Sequence, residues 1–187
     1  MKMIKKYVIT GGPGSGKTTI INNLAKLGYY TIDEAARKII EKEIAEGKKV
    51  ITWKGNVDER QREILQLQLK FEEEAYKKAM SLEKNIIFLD RGIPDGIAFY
   101  VISNTRLPEK LLEESKPEKR NYKKIFFLTQ IKHYNRDYVR KEPRHIAKMI
   151  GELIYKIYKD LGYNIIKVPS MSINKRVKFI LNNIKQD

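Results

Sequence analysis

The stretch ITGGPGSGKTT at residues 9–19 constrains the fold more than any other. It sets four glycines, a lysine and a threonine pair directly behind the apolar run Met3–Thr10. The spacing Gly11-x-x-x-x-Gly16-Lys17-Thr18 is that of a phosphate-binding loop. Glycines permit the backbone turns that aim N–H groups inward, and a helix behind them adds the positive end of its dipole. The pattern therefore predicts a buried strand over Met3–Thr10 and a helix over Gly16–Leu27. Gly12, Pro13, Gly14, Ser15, Gly16, Lys17, Thr18 and Thr19 are the expected nucleotide-cradling residues. Lys17 would reach the β- and γ-phosphates, and Thr18 would offer its hydroxyl to Mg2+. Where the phosphoryl group goes must be read from the rest of the chain.

The length of 187 residues predicts one domain over 1–187. With no cysteine there is no disulfide framework, thiolate metal site or cysteine nucleophile. No apolar run approaches the ~18 residues of a membrane span. The start MKMIKKYVITGG lacks a cleavage site and does not read as a signal peptide. The cytoplasm is the expected compartment. The net charge is +15, and residues 120–187, with 16 basic and 5 acidic side chains, hold +11 of it. Such a field attracts polyanions, nucleotide phosphates first and nucleic acid second.

Short apolar runs alternate with amphipathic stretches. Strands are expected at Tyr29–Ile32, Asn85–Asp90, Lys123–Leu128 and Tyr163–Val168. Asp33 is placed to cap the helix after the second strand. Residues 47–56 read as a loop carrying the sole tryptophan, Trp53. Asp58–Leu82 reads as a long helix with Ile64, Leu67, Phe71 and Ala75 along one stripe. Pro94–Asn104, Pro108–Ser115 and Ile173–Ile184 read as helices, as does 131–161 with a break near Pro143. Alternating strands and helices predict an α/β fold, a parallel sheet covered on both faces. Ligands of such sheets bind beyond the C-terminal strand ends, where the glycine loop, Asp33-Glu34 and Asp90-Arg91 all fall.

"FLDRGIPD" (88–95) puts Asp90 at the end of an apolar strand, where a carboxylate holds a Mg2+ water shell or accepts a proton. A motor-type ATPase carries two successive acids there, whereas this chain has Asp90 then Arg91. The D-x-x-G and N-K-x-D signatures of a GTPase are absent. In "TIDEAAR" (31–37), Asp33 and Glu34 can simply serve the helix start. Alternatively, Glu34 is the base or orienter for an acceptor hydroxyl, with Arg37 one turn on contacting an anionic acceptor. Gln61 either closes a capping pair with Asp58 or recognises an acceptor. Trp53 either stacks on substrate or packs under its loop. "YNRDYVRKEPRH" (134–145) spaces Arg136, Arg140 and Arg144 by four, so that a continuous helix presents them on one face. A lid at about 130–150 would bring Arg136 and Arg140 onto the transferring phosphoryl group. His133 and His145 lack metal-ligand spacing.

The ordered set GGPGSGKTT, IDEAAR, the Trp53 loop, FLDRGIPD, YNRDYVRKE and GYNIIKVP resembles a family of small stand-alone P-loop "AAA domain" ATPases. That family is related to nicotinamide riboside kinase domains and to deoxynucleoside and thymidylate kinases. The resemblance covers nearly the whole chain. It implies a three-layer P-loop NTPase with a five-stranded parallel sheet in the order 2-3-1-4-5 and a helical lid. It also implies a strand-end acid and arginine, Asp90 and Arg91, facing the reacting phosphates, a glutamate after the second strand, Glu34, and Gln61 at the acceptor. The expected activity is transfer from ATP, or GTP, with Mg2+, to a nucleoside-like or other small hydroxyl acceptor, by a monomer or homodimer. The alternative is a slow nucleotide-dependent switch acting on RNA, lipid phosphate or a protein.

Overall fold

The computed structural model describes residues 3–129 and 142–185. Five strands alternate with helices: β1 Lys5–Thr10, α1 Lys17–Lys26, β2 Tyr30–Ile32, α2 Ala35–Ala45, α3 Val57–Ser81, β3 Ile86–Asp90, α4 Asp95–Ile102, α5 Glu109–Glu114, α6 Pro117–Arg120, β4 Tyr122–Leu128, α7 Arg144–Asp160, β5 Ile165–Val168 and α8 Ile173–Ile184. The strands form one parallel sheet in the order β2-β3-β1-β4-β5.

Both faces of this sheet are buried, so its central strands carry unbroken apolar runs, Tyr7–Ile9 in β1, Ile86–Leu89 in β3 and Ile125–Leu128 in β4. Successive side chains point to opposite faces. Tyr7, Ile9, Phe88, Phe126 and Leu128 meet α1 and α8 through Ile20, Leu24, Val177 and Ile180. Val8, Ile87, Leu89 and Ile125 meet α3, α4 and α7 through Ala79, Ala98, Ile150 and Ile154. The rings of Tyr7 and Phe88 lie 5.6 Å apart under α1. Each fully buried aliphatic chain contributes about 1.5–3 kcal/mol, which is why these runs stay apolar on both faces. Among the described residues no helix is long and apolar enough to cross a membrane.

Several expectations shift. The second helix begins at Ala35 with Glu34 at its N-cap position, so Asp33 is not the cap. Glu34 is drawn inward to an arginine, and the chain turns helical one residue later. The third helix begins at Val57 behind Asn56, so Asp58 and Gln61 do not cap it. Asp58 instead accepts from Tyr100 and pairs with Arg62. The buried stripe of α3 is not Ile64, Leu67 and Phe71, which are half-buried; it runs through Gln61, Leu65, Gln68, Glu72, Ala75 and Ala79. Polar residues take that face because they have inward partners: Glu72 holds Lys6 and the Tyr122 hydroxyl. The short α6 has no counterpart in the periodicity. Tyr163 precedes β5, and its ring stacks on Tyr122 at 5.8 Å.

Register fixes the site. Ile9 pairs with Asp90, Thr10 with Phe127, and Ile32 with Leu89. The C-terminal strand ends therefore bring Thr10, Asp90 and the start of α2 to one edge.

Candidate active site

The phosphate loop joins β1 to α1. Gly14 (φ 71°) and Gly16 (φ 92°) occupy the left-handed region that the turn needs. Gly12 is required for another reason: a Cβ there would lie 2.6 Å from the Ala147 carbonyl oxygen and 3.3 Å from Gly151 Cα. The start of α7 thus packs directly on the loop. Lys17 is fully buried, and its ammonium donates to the Gly11 and Gly12 carbonyls, each at 3.0 Å. The Thr18 hydroxyl donates to Asp90 Oδ2 at 2.7 Å. Thr19 is exposed on the first turn of α1.

Asp90 is buried, and burial pushes its carboxyl pKa up while Lys17, the Thr18 hydroxyl and Arg91 pull it down. Among the described residues its Oδ1 and the buried Ser15 hydroxyl have no hydrogen-bond partner. Both stand at the phosphate loop, and unpartnered buried polar atoms are costly unless a ligand meets them. A carboxylate oxygen in this state beside a threonine hydroxyl fits Mg2+, a hard ion that prefers oxygen. Among the described residues no three His, Asp or Glu side chains gather to hold a metal alone. Phosphate oxygens and water would have to complete the ion's shell.

Arg91 follows Asp90 in a left-handed conformation, φ 73°, held by a hydrogen bond from its N–H to the Ile9 carbonyl at 3.0 Å. A non-glycine residue in that region carries a cost of about 1–2 kcal/mol. The return is a buried network. Arg91 Nε donates to Glu34 Oε1 at 2.6 Å, and its Nη1 donates to Asp95 Oδ2 at 3.1 Å. Asp95 also accepts from the Thr10 hydroxyl at 2.7 Å and from the Tyr158 hydroxyl at 2.8 Å. Burial, then the Asp95 charge, raises the Tyr158 pKa far above its ordinary value, so the phenol stays a donor. One continuous chain of bonds therefore runs from Glu34 to Thr10, the residue before the loop.

Glu34, Gln61, Gln68, Arg91 and Asp95 line a narrow pocket, about 40 Å³ in volume, together with Ile64, Leu65, Ile93, Phe99 and Leu111. Gly96 leaves room for the Gln61 amide, since a Cβ there would sit 3.2 Å from Gln61 Oε1. Apolar walls with a few convergent polar groups are the usual form of a small-molecule site.

Of the residues singled out in the sequence, Lys17, Thr18, Glu34, Asp90, Arg91 and Gln61 gather here with the loop. Arg37 does not line the pocket; its Nε pairs with Glu41 along α2 at 3.0 Å. Trp53 lies half-buried in the α2–α3 loop and is not a lining residue. Arg136, Arg140 and His133, with most of the expected lid, lie outside the described residues, while Arg144 opens α7. Asp95, Gln68 and Tyr158 were not singled out. An acid at the head of the apolar helix DGIAFYVI, and glutamines spaced by seven along α3, are the available signals.

A family described as "AAA domain" matches residues 6–176 of this chain. No curated protein matches it. Among solved structures, NadR protein in complex with NR superposes with a TM-score of 0.71 at 16% identity, covering 98% of this chain and 51% of NadR. The chain thus spans about half the length of that protein. Deoxyadenosine kinase from M. mycoides gives 0.62 at 15% identity, covering 97% of this chain and 100% of the kinase. Thymidylate kinase from Candida albicans gives 0.62 at 17% identity, covering 98% and 92%. At such identities the likeness shows a shared fold.

Proposed function

The chain belongs to the AAA-domain family, and on that premise we propose that it is a P-loop phosphotransferase. It moves the γ-phosphoryl group of ATP, or GTP, to a hydroxyl of a nucleoside-like or other small acceptor. The observation that carries this reading is the buried Glu34–Arg91–Asp95 chain, which joins the lining of a pocket beside α3 and α4 to the phosphate loop.

The loop amides and Lys17 hold the β- and γ-phosphates. When bound with Thr18 and Asp90, Mg2+ supplies positive charge to the phosphate oxygens. Arg91 holds Glu34 through one carboxylate oxygen and fixes its direction along the pocket wall. Glu34 accepts the acceptor's hydroxyl proton as the hydroxyl oxygen forms its bond to the γ-phosphorus. The bond from the γ-phosphorus to the bridging oxygen breaks, and the nucleoside diphosphate leaves. Arg91 faces the same region with a fixed positive charge and opposes charge build-up on the phosphoryl group in transit. The pocket's apolar side excludes water that would otherwise compete as acceptor.

The test is release of nucleoside diphosphate over a panel of nucleosides, nucleoside monophosphates and small alcohols. One acceptor should raise turnover well above background hydrolysis. With that acceptor, Glu34→Gln should keep nucleotide affinity and lower transfer by roughly 10²–10⁴, the share of a general base. Turnover that no acceptor raises, or an unchanged rate in Glu34→Gln, refutes the assignment.

A further inference from the structure

One buried charge behind the phosphate loop has no part in the transfer just described. Arg176 stands early in α8 and is 2% exposed. Its Nε donates to the Pro169 carbonyl at 3.1 Å, its Nη1 to the Ser15 carbonyl at 2.8 Å, and its Nη2 to the Thr129 carbonyl at 2.9 Å. These three carbonyls belong to the segment after β5, the phosphate loop and the end of β4. Among the described residues no carboxylate pairs with this guanidinium. Burial alone pulls its pKa below the ordinary arginine value.

A guanidinium taken from water and given only neutral carbonyls is an expensive arrangement. A neutral donor such as an amide could serve carbonyls without burying a charge, so the charge itself calls for a compensating anion. Position points to one. A Cβ on Gly16 would lie 3.7 Å from Arg176 Nη1, so the guanidinium packs against the loop itself. Covalent geometry supplies the second half of the argument. In a planar trans peptide the C=O and N–H bonds point in opposite directions. Holding the Ser15 carbonyl from behind therefore turns the Gly16 N–H away from Arg176, towards the concave side of the loop. That peptide leads into the N-terminus of α1, where an anion is favoured by unpaired N–H groups and the dipole.

We propose that Arg176 is a positioning residue of the phosphate loop: it fixes the Ser15–Gly16 peptide for triphosphate binding, and its charge is matched by the bound phosphates. This rests on the phosphate-loop reading of Gly11–Thr18. The same guanidinium clamps Thr129 and Pro169, so the loop's shape is tied to the ends of β4 and β5 rather than left to its own glycines. Preorganised donors lower the ordering cost of binding.

The test titrates Mg·ATP, and tripolyphosphate as a base-free probe, into the wild-type chain, Arg176→Met and Arg176→Lys, with Lys17→Ala as control. Arg176→Met should lose about tenfold or more for both probes, the worth of a charge-assisted hydrogen bond. Arg176→Lys keeps the charge but not the three-way fork and should lose less, about threefold. Circular dichroism and the ligand-free Tm report folding separately. If Arg176→Met does not fold, Arg176→Lys alone decides. A plain structural staple would lower Tm in both variants and leave affinity per folded molecule unchanged, which overturns the proposal. A loss for ATP with none for tripolyphosphate overturns it too, because the arginine would then act on the base. Binding of neither probe by the wild-type chain would end the phosphate-loop reading and this inference together. Loss in Lys17→Ala with none in either Arg176 variant would end this inference alone.

Discussion

Asp95 is the residue on which the candidate site's rigidity turns, and two substitutions there give different numbers. Its carboxylate is buried and accepts three hydrogen bonds, from the Thr10 hydroxyl, the Tyr158 hydroxyl and Arg91 Nη1. Asparagine keeps the shape. Its carbonyl oxygen can stay on the Thr10 and Arg91 side, and its NH₂ can face Tyr158, whose hydroxyl is able to accept instead of donate. What Asp95→Asn loses is the charge assistance. The Arg91 bond falls from the charged range to the weaker neutral-acceptor range, a difference of about 1–2 kcal/mol. Asp95→Ala is harsher. It strips Arg91 of one of two anions and leaves two hydroxyls without an acceptor. Breaking a buried ion pair on one side costs about 3–5 kcal/mol, and Glu34 still holds Arg91, so the low end, about 3 kcal/mol, is expected. Urea unfolding measures both, with a constant m-value as the check on two-state behaviour. A double-mutant cycle of Asp95→Ala with Tyr158→Phe should be non-additive, because Tyr158 already lacks its acceptor in the first variant. An Asp95→Ala cost under about 1 kcal/mol, the range of an exposed pair, would refute the claim that this network holds Arg91 in place.

Three further outcomes follow from the geometry. Lys17→Ala should abolish triphosphate binding in a folded chain, read by calorimetry; unchanged affinity would remove Lys17 from the phosphate cradle. Gly12→Ala drives a Cβ to 2.6 Å from the Ala147 carbonyl, so α7 must shift off the loop, costing about 1–3 kcal/mol of stability as overpacking does; a variant as stable as wild type would contradict the tight contact. Without an N-K-x-D sequence, ATP should be bound at least as well as GTP, and a GTP preference of about tenfold in competition, 1.4 kcal/mol, would overturn this.

The parts of this molecule that the sequence displays are those whose partners are close in the chain or repeat with a period. The sheet strands show because burial on both faces forces consecutive apolar residues, as in Tyr7, Val8 and Ile9. The loop shows because its glycines, Lys17 and Thr18 are consecutive. Hydropathy alone finds α3 but misplaces its buried face: Gln68 and Glu72 look solvated until Arg91, Tyr122 and Lys6 are known to lie beneath them. Asp33 looks like a cap until its neighbour Glu34 is seen to be bonded to Arg91, 57 residues away. Arg176 reads as one basic residue among many, because its tie to Ser15 spans 161 residues. Asp95 stands between these cases. Asp95 opens DGIAFYVI, where a helix start favours an acid, but the chain carries it under cover, with Ile97, Ala98, Phe99 and Tyr100 buried behind it. Burying an acid demands a cation and donors, and Arg91 stands four residues earlier. The pairing with Arg91 is local, but the burial that makes it necessary is not visible in the sequence. That the same acid reaches Thr10 and Tyr158 is a consequence of the sheet order, which sets β1 between β3 and β4 and seats α7 on α4. The site's chemistry is thus written locally, and its rigidity is written in the topology.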